Sequence, residues 1–321
     1  MKYRPLGRTG LTVSEIGFGA WGIGGRTAGE TSYGATDDAR SRAALERAFE
    51  LGITFYDTSN VYGDGHSEAL IGEVFEHRRE RIVIATKAGL ARYDSPPDFS
   101  ALALRRSLDE SLTRLRATYV DLFQLHNPPA DLFRRQPESY AALQELARDG
   151  KIRSFGVSVK APAEALAMLE EHFVPTVQVN LNMLDIRALD SGLIDRAAGG
   201  GIGVIARTPL SFGFLSGAVT RKTRFPEGDH RRRWPRPQIE RWIEGAAALN
   251  EAAGQGPGEP PSQVALRFCL SFPGVSTVIP GILTPGEAEE NARASALGAL
   301  PDAARDRVVA LNRRQSFFIG G

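Results

Sequence analysis

Cysteine is nearly absent from this sequence of 321 residues. The single cysteine, Cys269, stands in the apolar segment VALRFCLSF. One thiol cannot build an intrachain disulfide framework or a multi-cysteine zinc or iron–sulfur centre. We therefore expect Cys269 to be a small buried apolar side chain, and we expect no metal site.

The sequence also lacks an excess of charge and a long apolar run. Lys and Arg number 39 and Asp and Glu number 38, which gives a formal net charge of +1. This balance excludes a globally basic nucleic-acid-binding protein. No apolar run reaches the ~18 residues of a membrane span, and the N-terminus MKYRPLGRTGLTVSEIG lacks the apolar core of a signal peptide. We expect a cytoplasmic globular protein without nucleic-acid or membrane partners.

What the sequence contains is an alternation of short apolar, β-branched runs and longer segments of helical period. Two short runs, Lys2–Leu6 and Leu11–Val13, flank turn residues and predict a hairpin. The predicted strands that follow are Glu15–Gly19, Ile53–Thr58, Ile82–Lys87, Val120–His126, Ile152–Ser158, Thr176–Asn180, Ile202–Ala206 and Thr277–Pro280. Helices are predicted near residues 37–51, 66–78, 99–116, 137–149, 162–172, 189–199, 237–253 and 284–296. The clearest helix carries an apolar stripe of Leu102, Leu104, Leu108, Leu112 and Leu115.

Eight strands alternating with eight helices predict an α/β fold. Eight such units in about 280 residues fit a (β/α)₈ TIM barrel with an N-terminal β-hairpin cap. The alternative is a doubly wound open sheet. We find no linker that splits the chain, so we expect one domain over residues 1–321. Two insertions interrupt the pattern, a long loop at 208–237 and a Gly/Pro-rich turn at 254–261 that precedes a further short helical segment.

A glycine-rich motif at the end of the first predicted barrel strand has two interpretations. Residues 17–22 satisfy G-x-G-x-x-G, the pattern of a dinucleotide-binding turn. That turn requires a helix to begin at the third glycine, whereas here a loop follows and the next helix is predicted near Asp37. We expect these glycines to let a loop pass close to a ligand at the barrel mouth.

Four polar residues follow three consecutive strands. The second barrel strand delivers Asp57 and, five residues later, Tyr62; the third ends at Lys87 and the fourth at His126. In a barrel these strand ends converge on the face that holds active sites. A lysine that ends an apolar strand needs a partner, and Asp57 is the natural one. Each residue alone could be structural, but four at equivalent strand ends indicate a site.

The sequence resembles the aldo-keto reductase family. The resemblance rests on EIGFGAWGIGG, ITFYDTSNVYGDGHSEALIGE, IVIATKAG, VDLFQLHNP, FGVSV, VQVNLNML and VIPGILTPGEAEENARA, in this order along the chain. It implies a catalytic tetrad of Asp57, Tyr62, Lys87 and His126. Tyr62 would be the general acid and His126 a second donor to the carbonyl oxygen. A lysine ammonium about 4 Å away contributes at most about 4 kcal/mol, about three pKa units, and we expect it to lower the pKa of Tyr62.

The resemblance also implies where a nicotinamide cofactor and a substrate bind. Ser158 and Gln178 match positions that hold the carboxamide, although Val159 stands where the family usually has Asn. The loop from Pro209 to Leu215 matches the segment that wraps the pyrophosphate, and Arg207 stands near the position of an aromatic ring stacked on the nicotinamide. The implied cofactor contacts are Gly19, Trp21, Asp57, Ser158, Gln178, Arg207, Pro209, Leu210, Gly213, Leu215, Gly281, Thr284, Glu287, Glu290 and Asn291. The implied substrate contacts are Trp21, Tyr62, His126 and Asn127.

These residues predict an NAD(P)(H)-dependent oxidoreductase that interconverts a small organic or sugar-like carbonyl compound and its alcohol. The alternatives are an NAD-dependent aldose dehydrogenase and a regulatory binding protein similar to potassium-channel β subunits. NADP is the cofactor that the resemblance favours, with NAD possible. The segment 282–289 carries no cation and does carry Glu287, so we expect weak discrimination between the two.

A basic cluster spans residues 221–236 in the longer insertion. It contains Arg221, Lys222, Arg224, His230, Arg231, Arg232, Arg233 and Arg236. It is either a solvated surface loop or a lid whose arginines hold an anion. Trp234 in this cluster and Trp21 are predicted pocket walls, and Trp242 is predicted to pack inside the protein.

Overall fold

A computed structural model describes residues 1–27 and 31–319, and its framework is a ring of parallel strands. The strands are β1 (Tyr3–Pro5), β2 (Thr12–Ser14), β3 (Phe18–Gly19), β4 (Phe55–Asp57), β5 (Val83–Ala88), β6 (Val120–His126), β7 (Ile152–Ser158), β8 (Thr176–Asn180), β9 (Gly203–Arg207) and β10 (Val275–Ile279). Strands β3 to β10 pair in sequence order. Parallel bridges Ile16–Val278 and Gly19–Gly281 join the first of these strands to the last. The structure therefore confirms the barrel and excludes the open sheet.

Helices between the strands cover the outside of the barrel. They are α1 (Asp38–Glu50), α2 (His66–Phe75), α3 (Ala101–Arg114), α4 (Leu132–Arg135), α5 (Pro137–Arg148), α6 (Pro162–Glu171), α7 (Arg187–Asp190), α8 (Leu193–Gly200), α9 (Arg236–Ala252), α10 (Pro261–Leu270), α11 (Pro285–Leu297) and α12 (Asp302–Arg314). The helix predicted at 189–199 is divided into α7 and α8, because Gly192 takes a left-handed conformation with φ of 75°.

Helix α3 shows how the apolar stripe positions a helix. Leu104, Leu108 and Leu112 are buried against the barrel. The helix begins after Ser100, whose side chain accepts a hydrogen bond from the Ala103 N–H group at 3.3 Å and so satisfies one free donor of the first turn. Leu102, which was predicted to belong to the stripe, is instead 78% exposed. It lies outside the face formed by the i, i+4 spacing of the other three.

The β1–β2 hairpin closes the barrel at the N-terminal ends of the strands. Its side chains Leu6, Leu11 and Val13 form a second apolar cluster with Phe55, Ala85, Leu122, Ile205 and Ile279 from the strands. The turn docks on the rim, where the Arg8 N–H group donates to the Gly201 carbonyl at 2.8 Å. The predicted hairpin cap is therefore present, and it leaves the opposite end of the barrel for a ligand.

The long insertion after β9 folds over this opposite end. It forms two short 3-10 helices, Ser211–Ser216 and His230–Arg233. Residues Ser32 and Asp229 form a β-bridge, and the His230 N–H group donates to the Ser32 carbonyl at 2.9 Å. The insertion is thus tied to the loop that follows β3. None of the helices in the described part of the chain combines the length and the apolar character of a membrane span.

Candidate active site

The predicted tetrad lies together at the C-terminal ends of β4, β5 and β6. Asp57 is the last residue of β4, Lys87 lies in β5, and His126 is the last residue of β6. Tyr62 lies in the turn after β4, held by a close backbone approach. A Cβ atom on Gly63, whose φ is 62°, would stand 1.9 Å from the Gly24 carbonyl oxygen. Only glycine fits there, and this contact fixes the turn that carries Tyr62.

Lys87 links the members of the tetrad to one another. Its Nζ atom donates to Asp57 Oδ1 at 2.5 Å, to the Thr58 carbonyl at 2.8 Å and to Tyr62 Oη at 3.1 Å. The side chain is fully buried. Burial lowers the pKa of Lys87, and the Asp57 carboxylate opposes that change. The predicted buried Asp–Lys pair is present, and it brings a cation next to the Tyr62 hydroxyl.

Two glutamines hold the second carboxylate oxygen of Asp57. The Nε2 atoms of Gln124 and Gln178 donate to Asp57 Oδ2 at 3.0 Å and 2.7 Å. The Ser158 hydroxyl donates to Gln178 Oε1 at 3.1 Å. Gln124 is not among the predicted site residues, although a polar residue in a fully buried strand, two positions before His126 and therefore on its face, was a usable signal.

His126 is neutral. Its Nδ1 atom lies 3.4 Å from Ser59 Oγ, and its ring meets those of Tyr62 and Tyr93 edge-on at centroid distances of 6.2 Å and 6.4 Å. Burial lowers the pKa of His126 well below its usual range, and the cations Lys87, Arg207 and Lys160 lower it further. The imidazole can therefore donate a hydrogen bond, but it carries no spare proton at neutral pH.

Tyr62 is protonated at neutral pH. Burial raises the pKa of Tyr62 above its usual value of 10, the Asp57 carboxylate raises it further, and Arg207 opposes both. The expectation that a lowered pKa prepares this phenol is wrong for the ligand-free protein. Loss of hydration of the phenolate exceeds the stabilisation from the nearby cations, and the Lys87 charge is largely balanced by Asp57.

A cavity of about 960 Å³ opens above the tetrad. Most predicted contact residues line it, namely Gly19, Trp21, Asp57, Tyr62, His126, Asn127, Gln178, Arg207, Pro209, Leu210, Gly213, Gly281, Glu287, Glu290 and Asn291. Three predicted cofactor contacts do not. Ser158 lies behind Gln178, Leu215 is fully buried in the core, and Thr284 caps α11 through its side chain.

The aromatic residues at the cavity differ from the prediction in one case. Trp21 lines it as expected, whereas Trp234 does not. Trp234 instead packs, half-buried, on Trp242 of α9, with ring centroids 4.8 Å apart. Trp242 and Cys269 are buried as predicted.

Of the basic cluster, Arg231 alone lines the cavity. Its guanidinium is held by Asp229, with Nη2 2.7 Å from Oδ2, and lies over the rings of Tyr33 and Phe225. Arg221 and Arg236 pair instead with Glu244 and Glu240 on α9. Arg231, which lies over Tyr33, and Arg221, which pairs with Glu244, therefore tie the insertion to neighbouring elements, whereas the Arg236 pair lies within α9.

Three polar atoms in the cavity wall are buried without a hydrogen-bond partner within the described residues. They are Trp21 Nε1, Asn127 Oδ1 and Arg207 Nε. Unpaired buried polar atoms are costly, so their presence in one cavity indicates a ligand with polar groups. The backbone of Ser211, Phe212 and Gly213 at its edge is left-handed, with φ of 45°, 57° and 95°. Such turns can form concavities that bind anions.

The far end of the cavity is formed by the first turn of α11. Glu287 Oε2 accepts the N–H groups of Leu283 and Thr284, at 2.6 Å and 3.0 Å, while the Thr284 hydroxyl accepts from the Glu287 N–H group at 3.1 Å. This reciprocal capping box places a carboxylate where a helix terminus otherwise attracts anions.

Comparison with known proteins agrees with this geometry. Residues 15–313 match the profile of the Aldo/keto reductase family. The chain is 32% identical to L-galactose dehydrogenase of Arabidopsis thaliana, over 92% of this chain and 88% of that protein, and 31% identical to L-glyceraldehyde 3-phosphate reductase of Escherichia coli, over 92% and 87%.

Solved structures give the same result. The holo form of an aldo-keto reductase from Bacillus halodurans superposes with a TM-score of 0.79 at 27% identity, covering 97% of this chain and 96% of that one. A glycerol dehydrogenase from Gluconobacter oxydans superposes with a TM-score of 0.80 at 27% identity, covering 99% and 97%. This chain belongs to the aldo-keto reductase family.

Proposed function

We propose that this protein is an NADP(H)-dependent oxidoreductase that reduces an aldehyde or ketone to an alcohol, or catalyses the reverse reaction, on a small organic or sugar-like substrate. The observation that carries the proposal is the position of Lys87 Nζ. It bonds Asp57 Oδ1 and Tyr62 Oη at once, at the base of a cavity that His126 also lines.

The proposed chemistry divides the work between two donors. In the reduction, the Tyr62 hydroxyl gives its proton to the carbonyl oxygen while a neutral His126 donates a hydrogen bond to the same oxygen. An alkoxide is a much stronger base than a phenolate, so a tyrosine with a raised pKa can still protonate it. Lys87 stabilises the resulting phenolate, and Asp57 holds Lys87 in place. A bound nicotinamide cofactor would supply the hydride for the carbonyl carbon.

The residues that line the cavity fit such a cofactor. Gln178 lines the cavity beside the tetrad, with Ser158 hydrogen-bonded behind it, and the left-handed turn at Ser211–Gly213 suits a pyrophosphate. Glu287 at the cap of α11 disfavours a 2′-phosphate. We therefore propose that NADP(H) is used with weak discrimination, within about tenfold of NAD(H).

A second candidate, oxidation of an aldose by NAD, is supported by two comparisons. One curated relative is named L-galactose dehydrogenase, and one structural neighbour is a glycerol dehydrogenase. Both names describe oxidation of a polyol or sugar. The catalytic residues are the same for both directions, so the two candidates differ in substrate, direction and cofactor.

Absorbance of the reduced nicotinamide gives a direct test. The purified protein would be assayed with a panel of aldehydes, ketones and aldoses, with each cofactor and in both directions, against Tyr62→Phe as background. We expect turnover of at least one small polar substrate that the variant does not catalyse. Absence of turnover on the whole panel, with no binding of any nicotinamide nucleotide, would contradict the proposal.

A further inference from the structure

Arg207 is a half-buried cation in the cavity wall, without a carboxylate partner among the described residues. It ends β9, and its Nη2 atom donates to the Val159 carbonyl at 2.9 Å. Its Nε atom is buried without any partner in the part of the chain that the structure describes. Burial lowers the pKa of Arg207, but a guanidinium still remains charged at any pH at which proteins are folded. Because no carboxylate in the described chain pairs with it, this positive charge interacts strongly with charged groups of a ligand in the cavity.

The other charged groups near the tetrad do not neutralise the positive charge of Arg207. Lys87 and Asp57 neutralise each other, and Arg231 is paired with Asp229. Lys160 lines the cavity as a second cation. The Glu164 carboxylate, which also acts on Arg207, bonds the N–H groups of Lys160 and Ala161 at the start of α6. The reacting end of the cavity therefore carries net positive charge.

Arg207 acts electrostatically on the reacting groups themselves. Its charge lowers the pKa of Tyr62, of Tyr93 and of His126. A ring that passes hydride to a carbonyl held by Tyr62 and His126 must touch that carbonyl. Such a ring lies within the same field, whatever its precise orientation.

We propose that Arg207 makes this site bind the reduced cofactor more tightly than the oxidised cofactor. The inference rests on the proposed nicotinamide-dependent function. An oxidised nicotinamide ring carries a positive charge and a reduced ring carries none, so only the oxidised form is repelled by the guanidinium. At an effective dielectric of about 20, repulsion between two like charges in one cavity is enough to weaken binding by roughly tenfold.

A consequence follows for the direction of the reaction. If the reduced form binds tenfold more tightly, the bound couple becomes a stronger hydride acceptor by about 30 mV. In the oxidation that this favours, the carbinol C–H bond breaks and its hydride passes to the oxidised nicotinamide. The O–H proton passes to the Tyr62 phenolate, and a C=O bond forms. Arg207 thus favours the dehydrogenase direction on the enzyme.

Equilibrium titration of protein fluorescence with NADPH and with NADP⁺ tests the proposal without turnover. The wild type, Arg207→Met and Arg207→Lys would be compared. Lys160→Met serves as the control, since it removes a cation from the same cavity at an exposed position where solvent screens it. We expect the wild type and Arg207→Lys to bind NADPH roughly tenfold more tightly than NADP⁺. The affinities of Arg207→Met for the two forms should lie within about twofold of each other. Lys160→Met should keep most of the wild-type preference for NADPH over NADP⁺.

Three outcomes would overturn the proposal. Equal affinity of the wild type for the two forms would do so, and this result does not depend on any variant folding. An equal loss of affinity for both forms in Arg207→Met would assign Arg207 a packing role instead. Loss of the preference in Arg207→Lys as well as Arg207→Met would show that the guanidinium shape, and not its charge, is responsible. Failure of both forms to bind the wild type would instead contradict the proposed function.

Discussion

At the residue scale, Lys87 and Asp57 are removed from water and depend on each other. Lys87 is 0% exposed and Asp57 2%. Asp57 also accepts hydrogen bonds from two glutamines, so loss of Lys87 leaves a carboxylate that is hydrogen-bonded but has no counter-charge. Buried ion pairs of this kind are costly to break by removing one partner and much less costly to remove as a pair.

We predict that Lys87→Met lowers the free energy of unfolding by roughly 3–5 kcal/mol. The double variant Asp57→Asn/Lys87→Met should regain at least about 1 kcal/mol of that loss, because an amide in place of the carboxylate leaves no buried charge. Urea unfolding of the wild type, both single variants and the double variant measures both quantities. If the double variant is no more stable than Lys87→Met, the two residues do not form a buried ion pair.

The positions of the four residues could be predicted from the sequence because a polar or charged residue marks the end of each apolar strand. Lys87 and His126 interrupt apolar runs, and the register of a barrel brings such ends together. The protonation of Tyr62 and the isolation of Arg207 could not be predicted. Both depend on burial and on which neighbours are already paired, and these properties arise from contacts between residues far apart in the chain.

At the scale of one element, α11 shows how a capping box can influence ligand choice. Glu287 uses one carboxylate oxygen to bond the N–H groups of Leu283 and Thr284. The sequence suggested a carboxylate that repels a phosphate. The structure adds that the same carboxylate already accepts the N–H groups of the two residues directly before α11. A 2′-phosphate at this helix end would meet both effects.

We predict that Glu287→Gln increases the preference for NADPH over NADH by roughly threefold to tenfold. Glutamine retains the capping box but removes the charge, so α11 should keep its position while repulsion of the phosphate falls by an amount typical of a charge near a helix terminus. Dissociation constants for both cofactors provide the measurement. Glu289→Gln is the control, because that carboxylate lies on the same helix but pairs with Arg47 of α1.

If the ratio of the dissociation constants for NADPH and NADH is unchanged in Glu287→Gln, the 2′-phosphate binds elsewhere. If Glu289→Gln increases the preference for NADPH by the same factor, the effect comes from the total charge of α11 and not from the position of Glu287.

Elements with weak patterns escaped the sequence argument. Helix α12 was not predicted, because only Ala304 and Val308 of its residues are buried and a polar helix has little periodicity to detect. Trp234 was predicted as a pocket wall, since it lies in the insertion over the cavity. A loop's path depends on tertiary contacts such as Ser32–Asp229, and no local pattern encodes them.

At the scale of the whole molecule, the barrel buries titratable groups, and this makes its stability depend on pH. His126 is 3% exposed, and burial together with nearby cations lowers its pKa well below 6.5. Below pH about 6.5 the unfolded chain binds a proton that the folded chain does not, so folding becomes less favourable as the pH falls, by at most about 1.4 kcal/mol per pH unit. Above that pH the effect disappears.

We predict that His126→Asn reduces the loss of stability between about pH 7.5 and pH 5.5 by about 1 kcal/mol or more. The free energy of unfolding in urea at each pH gives the difference, and the exposed His77→Asn variant should behave like the wild type. An identical loss in the wild type and His126→Asn would mean that His126 is not held neutral by the fold.

The most direct measurement compares the kcat of Tyr62→Phe and Tyr93→Phe with that of the wild type on a carbonyl substrate. Both variants remove one hydroxyl group from a tyrosine that lines the cavity beside His126, but only Tyr62 is bonded to Lys87. A proton donor contributes roughly 10²–10⁴-fold to the rate. The kcat of Tyr62→Phe should therefore fall at least a hundredfold, while this variant still binds cofactor. The kcat of Tyr93→Phe should stay within about threefold of the wild-type value. A loss of less than about tenfold in Tyr62→Phe, or an equal loss in Tyr93→Phe, would remove Tyr62 from the mechanism.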